Sequence, residues 1–354
     1  MKFFKQKKYR KYFFVPFIFL GIIAVTGSLD CGGGSGGGGG DGGGGGVGPT
    51  GKLYVSGCTS NSILSYDNAG SVSGAVSPNR TISGALTTLT RPGGIFGDTA
   101  NDSLYVSNYI ASSILVFNNA STASSNIAPN RTISGALTTL FNPGGVFVDT
   151  TNNRLYVANY GGNSILLFSN ASAADGNIAP NRTISGVLTT LNNPSGVFVD
   201  TTNNRLYVAN DTGNSILVFN NASTANGNIA PNRTISGALT TFNRPSDIFG
   251  DTTNNRFYVA NYNENSILIF DNADIATGNI APNRAISGAL TTLNGPMGIF
   301  VDTTNNRLYV ANYTGNFILV FNNASTADGN IAPSRTISLP VSTGAADVFV
   351  DITR

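Results

Sequence analysis

The chain has 354 residues, with 43 Gly, 14 Pro, no His and a formal net charge of +2. The absence of histidine removes the usual general base, the usual proton shuttle and the commonest transition-metal ligand. Six of the 20 basic residues lie in the first 30, and the acidic balance of the rest offers no basic footprint for nucleic acid. The recurring apolar residues are Val, Ile, Phe, Tyr and Leu, with Asn, Thr and Ser between them, which predicts an all-β protein rich in turns.

The first 30 residues read as a secretory signal peptide. Lys2, Lys5, Lys7, Lys8, Arg10 and Lys11 form a basic start, Phe13 to Val25 an apolar stretch, and Thr26, Gly27 and Ser28 a run of small residues. The apolar stretch is short beside the roughly 20 residues that cross a bilayer; a retained anchor is the alternative. Cleavage before Cys31 would remove the basic start and leave an acidic balance. Residues 31–50 are a glycine tract that cannot build a core and serves as a flexible tether. Cys31, at the junction, resembles the acylated cysteine of bacterial lipoproteins, although Ser28, Leu29 and Asp30 depart from the usual residues before it. The resemblance implies lipidation at Cys31, a lipid anchor in the membrane and no disulfide partner for Cys58. Either reading expects the rest of the chain outside the cytoplasm: in the cell envelope, on the outer membrane facing periplasm or surface, or secreted.

From Gly51 onward the sequence repeats with a period of 51 residues. Tyr54, Tyr105, Tyr156, Tyr207, Tyr258 and Tyr309 share one slot; Arg80, Arg131, Arg182, Arg233, Arg284 and Arg335 share another. A full copy holds four short apolar runs, such as GVFVD, RLYVAN, SILVF and RTISG, separated by turn residues. Four antiparallel strands at this period predict a propeller blade. The first copy lacks its opening run, and the terminal DVFVDITR supplies one. Residues 51–354 are therefore expected to form one six-bladed β-propeller of four-stranded antiparallel blades, closed by a C-terminal strand pairing with the first blade.

The segment GVFVDTTNNRLYVANDTGNSILVFNN resembles the NHL and YVTN-type propeller repeats, and the likeness runs through every blade. It implies fold rather than function, since one fold hosts many functions. The chain departs from those repeats at Ser164, Ser215 and Ser266, where an Arg often follows the turn between the second and third strands.

Repeated polar residues read as structure. Asp98, Asp149, Asp200, Asp251, Asp302 and Asp351 are expected to cap turns rather than to hold calcium, and the Arg of NRTISG to pack its stem. Positions that break the repeat read as function. The slot after the second strand holds Cys58, Tyr109, Tyr160, Asp211, Tyr262 and Tyr313, and the loops into each first strand carry Arg91 and Arg244 where Asn142, Asn193 and Gly295 stand in other blades. A propeller brings both loop sets to one side, so these tyrosines and arginines are expected to form a ligand- or partner-binding face. The expected role is a non-catalytic, envelope-tethered binding propeller with a protein or glycan partner, no cofactor and no metal. The alternative is a metal-assisted lactonase or gluconolactonase-like hydrolase. The likeness to such hydrolases would require a metal held by Glu, Asn and Asp, yet Glu264 is the sole Glu.

Overall fold

The computed structural model describes residues 51–354; the expected signal sequence, Cys31 and the glycine tract lie outside the described residues. Those residues form six sheets, each of four antiparallel strands, the sixth extended by the short parallel strand Gly74–Ala75. The fourth blade is typical, with Pro194–Asp200 innermost, then Arg205–Asn210, Ser215–Asn220 and, outermost, Arg233–Ser236. The second, third, fifth and sixth blades follow the same order, beginning at Pro92, Val146, Pro245 and Pro296.

The first blade takes its inner strand from the other end of the chain. Ala345–Asp351 pairs antiparallel with Lys52–Gly57, from Lys52 opposite Asp351 to Val55 opposite Val348. This is the closing strand expected from the sequence, and it removes the two open edges that the ring would otherwise present. Gly51 N donates to Arg354 O at 2.8 Å, so the two ends of the ring meet.

Each core lies between neighbouring blades. Tyr156, Ala158, Ile165 and Leu167 of the third blade, for instance, pack on Val197, Val199, Leu206 and Val208 of the fourth. Alternation along the second and third strands puts apolar side chains on both faces of a sheet, and each face is covered by a neighbour. On the axis, Phe96, Phe147, Phe198, Phe249, Phe300 and Phe349 form a closed ring, each centroid 4.9 to 5.8 Å from the next. Tilted and edge-on pairs of this kind are favourable beyond their buried area.

The repeated polar residues have structural roles. Asp149 accepts the Asn152 backbone N–H at 3.0 Å and its amide at 2.9 Å, and the same cap recurs at Asp98, Asp200, Asp251 and Asp302. Arg131 donates to the carbonyls of Ala171 and Ala174 in the next blade, as Arg233 does to Ala273 and Ala276. Ser164, Ser215 and Ser266 each accept from the preceding Asn159, Asn210 or Asn261 amide, which also reaches back to the loop entering the blade. One connection was not expected. The segment before each outer strand climbs the outside of the preceding blade, pairing in parallel with its outer strand, as Gly74–Ala75 does with Ile337–Ser338.

Candidate functional site

The antiparallel order fixes which loops share a face. The loops joining second to third strands, and those leading from each outer strand into the next blade, lie on one side; the Asp-capped turns and the chain ends lie on the other. The residues singled out in the sequence therefore gather around one mouth. Tyr109 and Tyr160 have ring centroids 6.1 Å apart. The Arg91 guanidinium lies 5.3 Å from the Tyr109 ring centroid, and that of Arg244 lies 5.3 Å from the Tyr262 centroid. Tyr313 packs over Gly344 of the loop entering the first blade, on the same side. Burial pushes the Tyr109 and Tyr160 hydroxyls up from their ordinary value; the Arg91 charge opposes this at Tyr109, and the Asp211 charge adds to it at Tyr160.

The mouth repeats a pattern across the ring. Arg91 and Arg244 enter the second and fifth blades, three apart, and Cys58 and Asp211 belong to the first and fourth. Arg244 Nε and Nη2 donate to Asp211 at 2.8 and 2.9 Å, a bidentate pair that raises the arginine further and neutralises it. Arg91 meets Cys58 instead, with Nε 3.4 Å from Sγ. Cys58 is a buried free thiol. Both arginines hold positive φ, 54° at Arg91 and 58° at Arg244, where the third, fourth and sixth blades use Asn142, Asn193 and Gly295. That region disfavours a long side chain, and such residues concentrate at functional positions.

Below the mouth the inner strands close to a waist formed by Asp347, Gly94, Gly145, Gly196, Asp247 and Gly298 in ring order. Glycine is required there, because a Cβ on Gly196 would stand 2.6 Å from Asp247 Cα and one on Gly298 would stand 2.5 Å from Asp347 Cα. The two acids are the residues that sequence reasoning missed. They break the repeat, and comparing the third position of each inner strand finds them. Each reaches across a seam: Asp247 accepts the Ile299 N–H at 2.9 Å, and Asp347 accepts those of Ile95 and Val348 at 2.8 Å. They border a cavity of about 50 Å³ walled by the Phe ring. Burial lifts the Asp247 carboxyl to about 7. Burial also lifts Asp347 well above the carboxylate range, and the Asp247 charge adds to it.

An open hollow of about 520 Å³ lies on the mouth face, beside Asn214, Phe242, Asn243 and Glu264. A tighter recess of about 160 Å³ lies on the opposite face between the fourth and fifth blades. Its lining Asp200, Arg205, Asp251 and Arg256 belong to repeated slots, so it reads as an interblade gap, with the Phe198 ring packed over Gly250 where other blades carry valine. Among the described residues no three His, Cys, Asp or Glu side chains are grouped to hold a metal ion.

No family model matches the chain, and no curated protein matches it. Solved structures do. A chain of a nidogen/laminin complex aligns with a TM-score of 0.58 at 12% identity, over 86% of this chain and 99% of that one. A protein of unknown function from Desulfotomaculum acetoxidans DSM 771 aligns at 0.56 and 11% identity, over 85% of each chain. A protein of Bacteroides uniformis ATCC 8492, named as a candidate 6-phosphogluconolactonase, aligns at 0.57 and 16% identity, over 84% of each chain. Likeness at these identities shows the fold alone, and the chain is a six-bladed β-propeller.

Proposed function

We propose that the protein is a non-catalytic binding propeller whose partner is engaged by the face carrying the mouth. One observation carries this reading: the tyrosines and arginines that break the repeat converge on the face opposite the chain ends. Tyr and Arg are the side chains most often used as interface anchors. Gly51 leaves the ring from the far face, so a tether running from it would leave the mouth free. A propeller within a nidogen/laminin complex is one precedent for the fold in protein association. The hydrolase alternative draws on the lactonase name of one structural neighbour.

The proposed setting is the cell envelope, with Cys31 as the lipid anchor. Replacing Cys31 with Ser should move the protein to the soluble fraction; a variant that stays with the membrane would favour an uncleaved anchor. The binding reading is tested by capture of partners from envelope extract with Tyr160, Tyr262 and Tyr313 changed to Ala. Capture should fall while the melting temperature holds. Loss of capture from Ala at Asn152, Asn203 and Asn305, with the tyrosine variant intact, would assign binding to the opposite face.

A further inference from the structure

The charged residues of the ring are segregated. Every described Lys and Arg except Arg91 and Arg244 stands at the start of a second or fourth strand or at the C-terminus, on the far face. Arg244 is neutralised by Asp211. Arg91 is exposed and forms no ion pair among the described residues; its Nε is turned to Cys58, and Nη1 and Nη2 have no protein acceptor.

On the loops bonded to the one that carries Arg91 the repeat is broken again, by apolar residues. Ile110 is 55% exposed and Phe141 is 57% exposed, where other blades carry Gly161, Thr212, Asn263 and Thr314, or Thr90, Asn192, Asn243 and Asn294. The loops bearing these residues are bonded into one surface. Tyr109 N donates to Arg91 O at 3.2 Å, Ile110 N to Thr90 O at 3.2 Å, and Asn142 Nδ2 to Tyr109 O at 3.0 Å. Phe141 in turn packs on Gly161 of the third blade. The face also carries an exposed aliphatic residue at one slot of each entering loop: Leu86, Leu137, Leu188, Leu239, Leu290 and Val341.

Resting on the reading that this face takes the partner, we propose that the Arg91–Tyr109–Ile110–Phe141 patch binds a protein segment presenting a carboxylate beside an apolar side chain. The carboxylate bonds to Nη1 and Nη2 of Arg91, in the manner that Asp211 meets Arg244 within the chain. The apolar neighbour covers Ile110 and Phe141. An acidic glycan fits less well, because sugar hydroxyls give an isoleucine and a rim of leucines nothing to desolvate against. Holding Arg91 at positive φ, where Asn would relax the backbone, is a cost that folding does not require; contact with an anion gives it a use.

The test is selection of displayed random linear peptides on the full-length protein, followed by affinity measurements on variants. Enriched peptides should share an Asp or Glu beside an apolar residue. They should bind Arg91→Asn and Phe141→Asn at least about tenfold more weakly. Arg91→Asn should melt no lower than the parent, because two other blades hold Asn at that slot. Failure to enrich any peptide would overturn the proposal. Peptides without an acid, or bound unchanged by Arg91→Asn, would also overturn it. If those peptides were still lost on the Tyr160, Tyr262 and Tyr313 variant, the binding face would stand and only its ligand class would fall. Peptides insensitive to both variants would remove both readings. Sedimentation as a dimer that Phe141→Asn disperses would give the patch to a second copy of the chain and overturn the proposal.

Discussion

Arg244 and Asp211 belong to adjacent blades and are joined by two hydrogen bonds of 2.8 and 2.9 Å, whereas Arg91, at the equivalent slot across the ring, faces the thiol of Cys58. The difference predicts opposite outcomes for the same change. Arg244→Asn leaves Asp211, 4% exposed, without its partner, and should cost about 1–3 kcal/mol. Arg91→Asn abandons no buried charge and relaxes a left-handed residue, so stability should hold or rise by up to about 1 kcal/mol. Thermal or urea unfolding of the two variants decides it. Equal losses would mean that Arg91 is as structural as Arg244.

The waist acids make stability depend on pH in the direction opposite to ordinary ion pairs. Asp247 keeps its proton up to about pH 7 in the folded ring, while the unfolded chain releases it near the usual value of about 4. The native state thus binds more protons across that window, so its stability falls as pH rises through it and stays low above it. Asp67 and Asp102 act the other way, lowered chiefly by hydrogen bonds from Lys52 and from Ser121 against the opposing effect of burial. The comparison must therefore be with Asp247→Asn. That variant should gain on the parent protein at about pH 8 and lose most of the gain at about pH 5. A gain independent of pH would remove the buried proton from the account.

The ring depends on its last strand. Deleting Ala345–Asp351 strips Lys52–Gly57 of a neighbour, opens the aromatic ring at Phe349 and removes Asp347. The truncated protein should aggregate or lose cooperative unfolding, as read by light scattering during a thermal ramp. A monomer with the parent melting temperature would contradict closure.

The blade count, the closing strand and the Asp caps were legible in the sequence because a fixed period makes each residue's role readable six times over. The convergence of the tyrosines and arginines followed from strand order alone. What could not be read was which residues of adjacent blades touch. Asp247 and Asp347 stand out as exchanges for glycine, but their burial depends on how closely Gly196 and Gly298 let the inner strands approach. The pairing of Arg244 with Asp211 and of Arg91 with Cys58 likewise joins residues some thirty positions apart, and only the packing of adjacent blades brings them into contact. The climb of each Asn-rich segment along the preceding blade depends on the same packing.

The central claim is that one face of the ring takes the partner, and hydrogen exchange of the full-length protein with and without a bound partner tests it most directly. Binding should slow exchange in the loops around Tyr109–Ser112, Phe141–Asn142 and Tyr160–Gly162, whose backbone groups rim the mouth. The Asp-capped turns at Asn152, Asn203 and Asn305 should exchange as before. Protection confined to those turns, with the mouth loops unchanged, would contradict the claim and move the binding site to the opposite face.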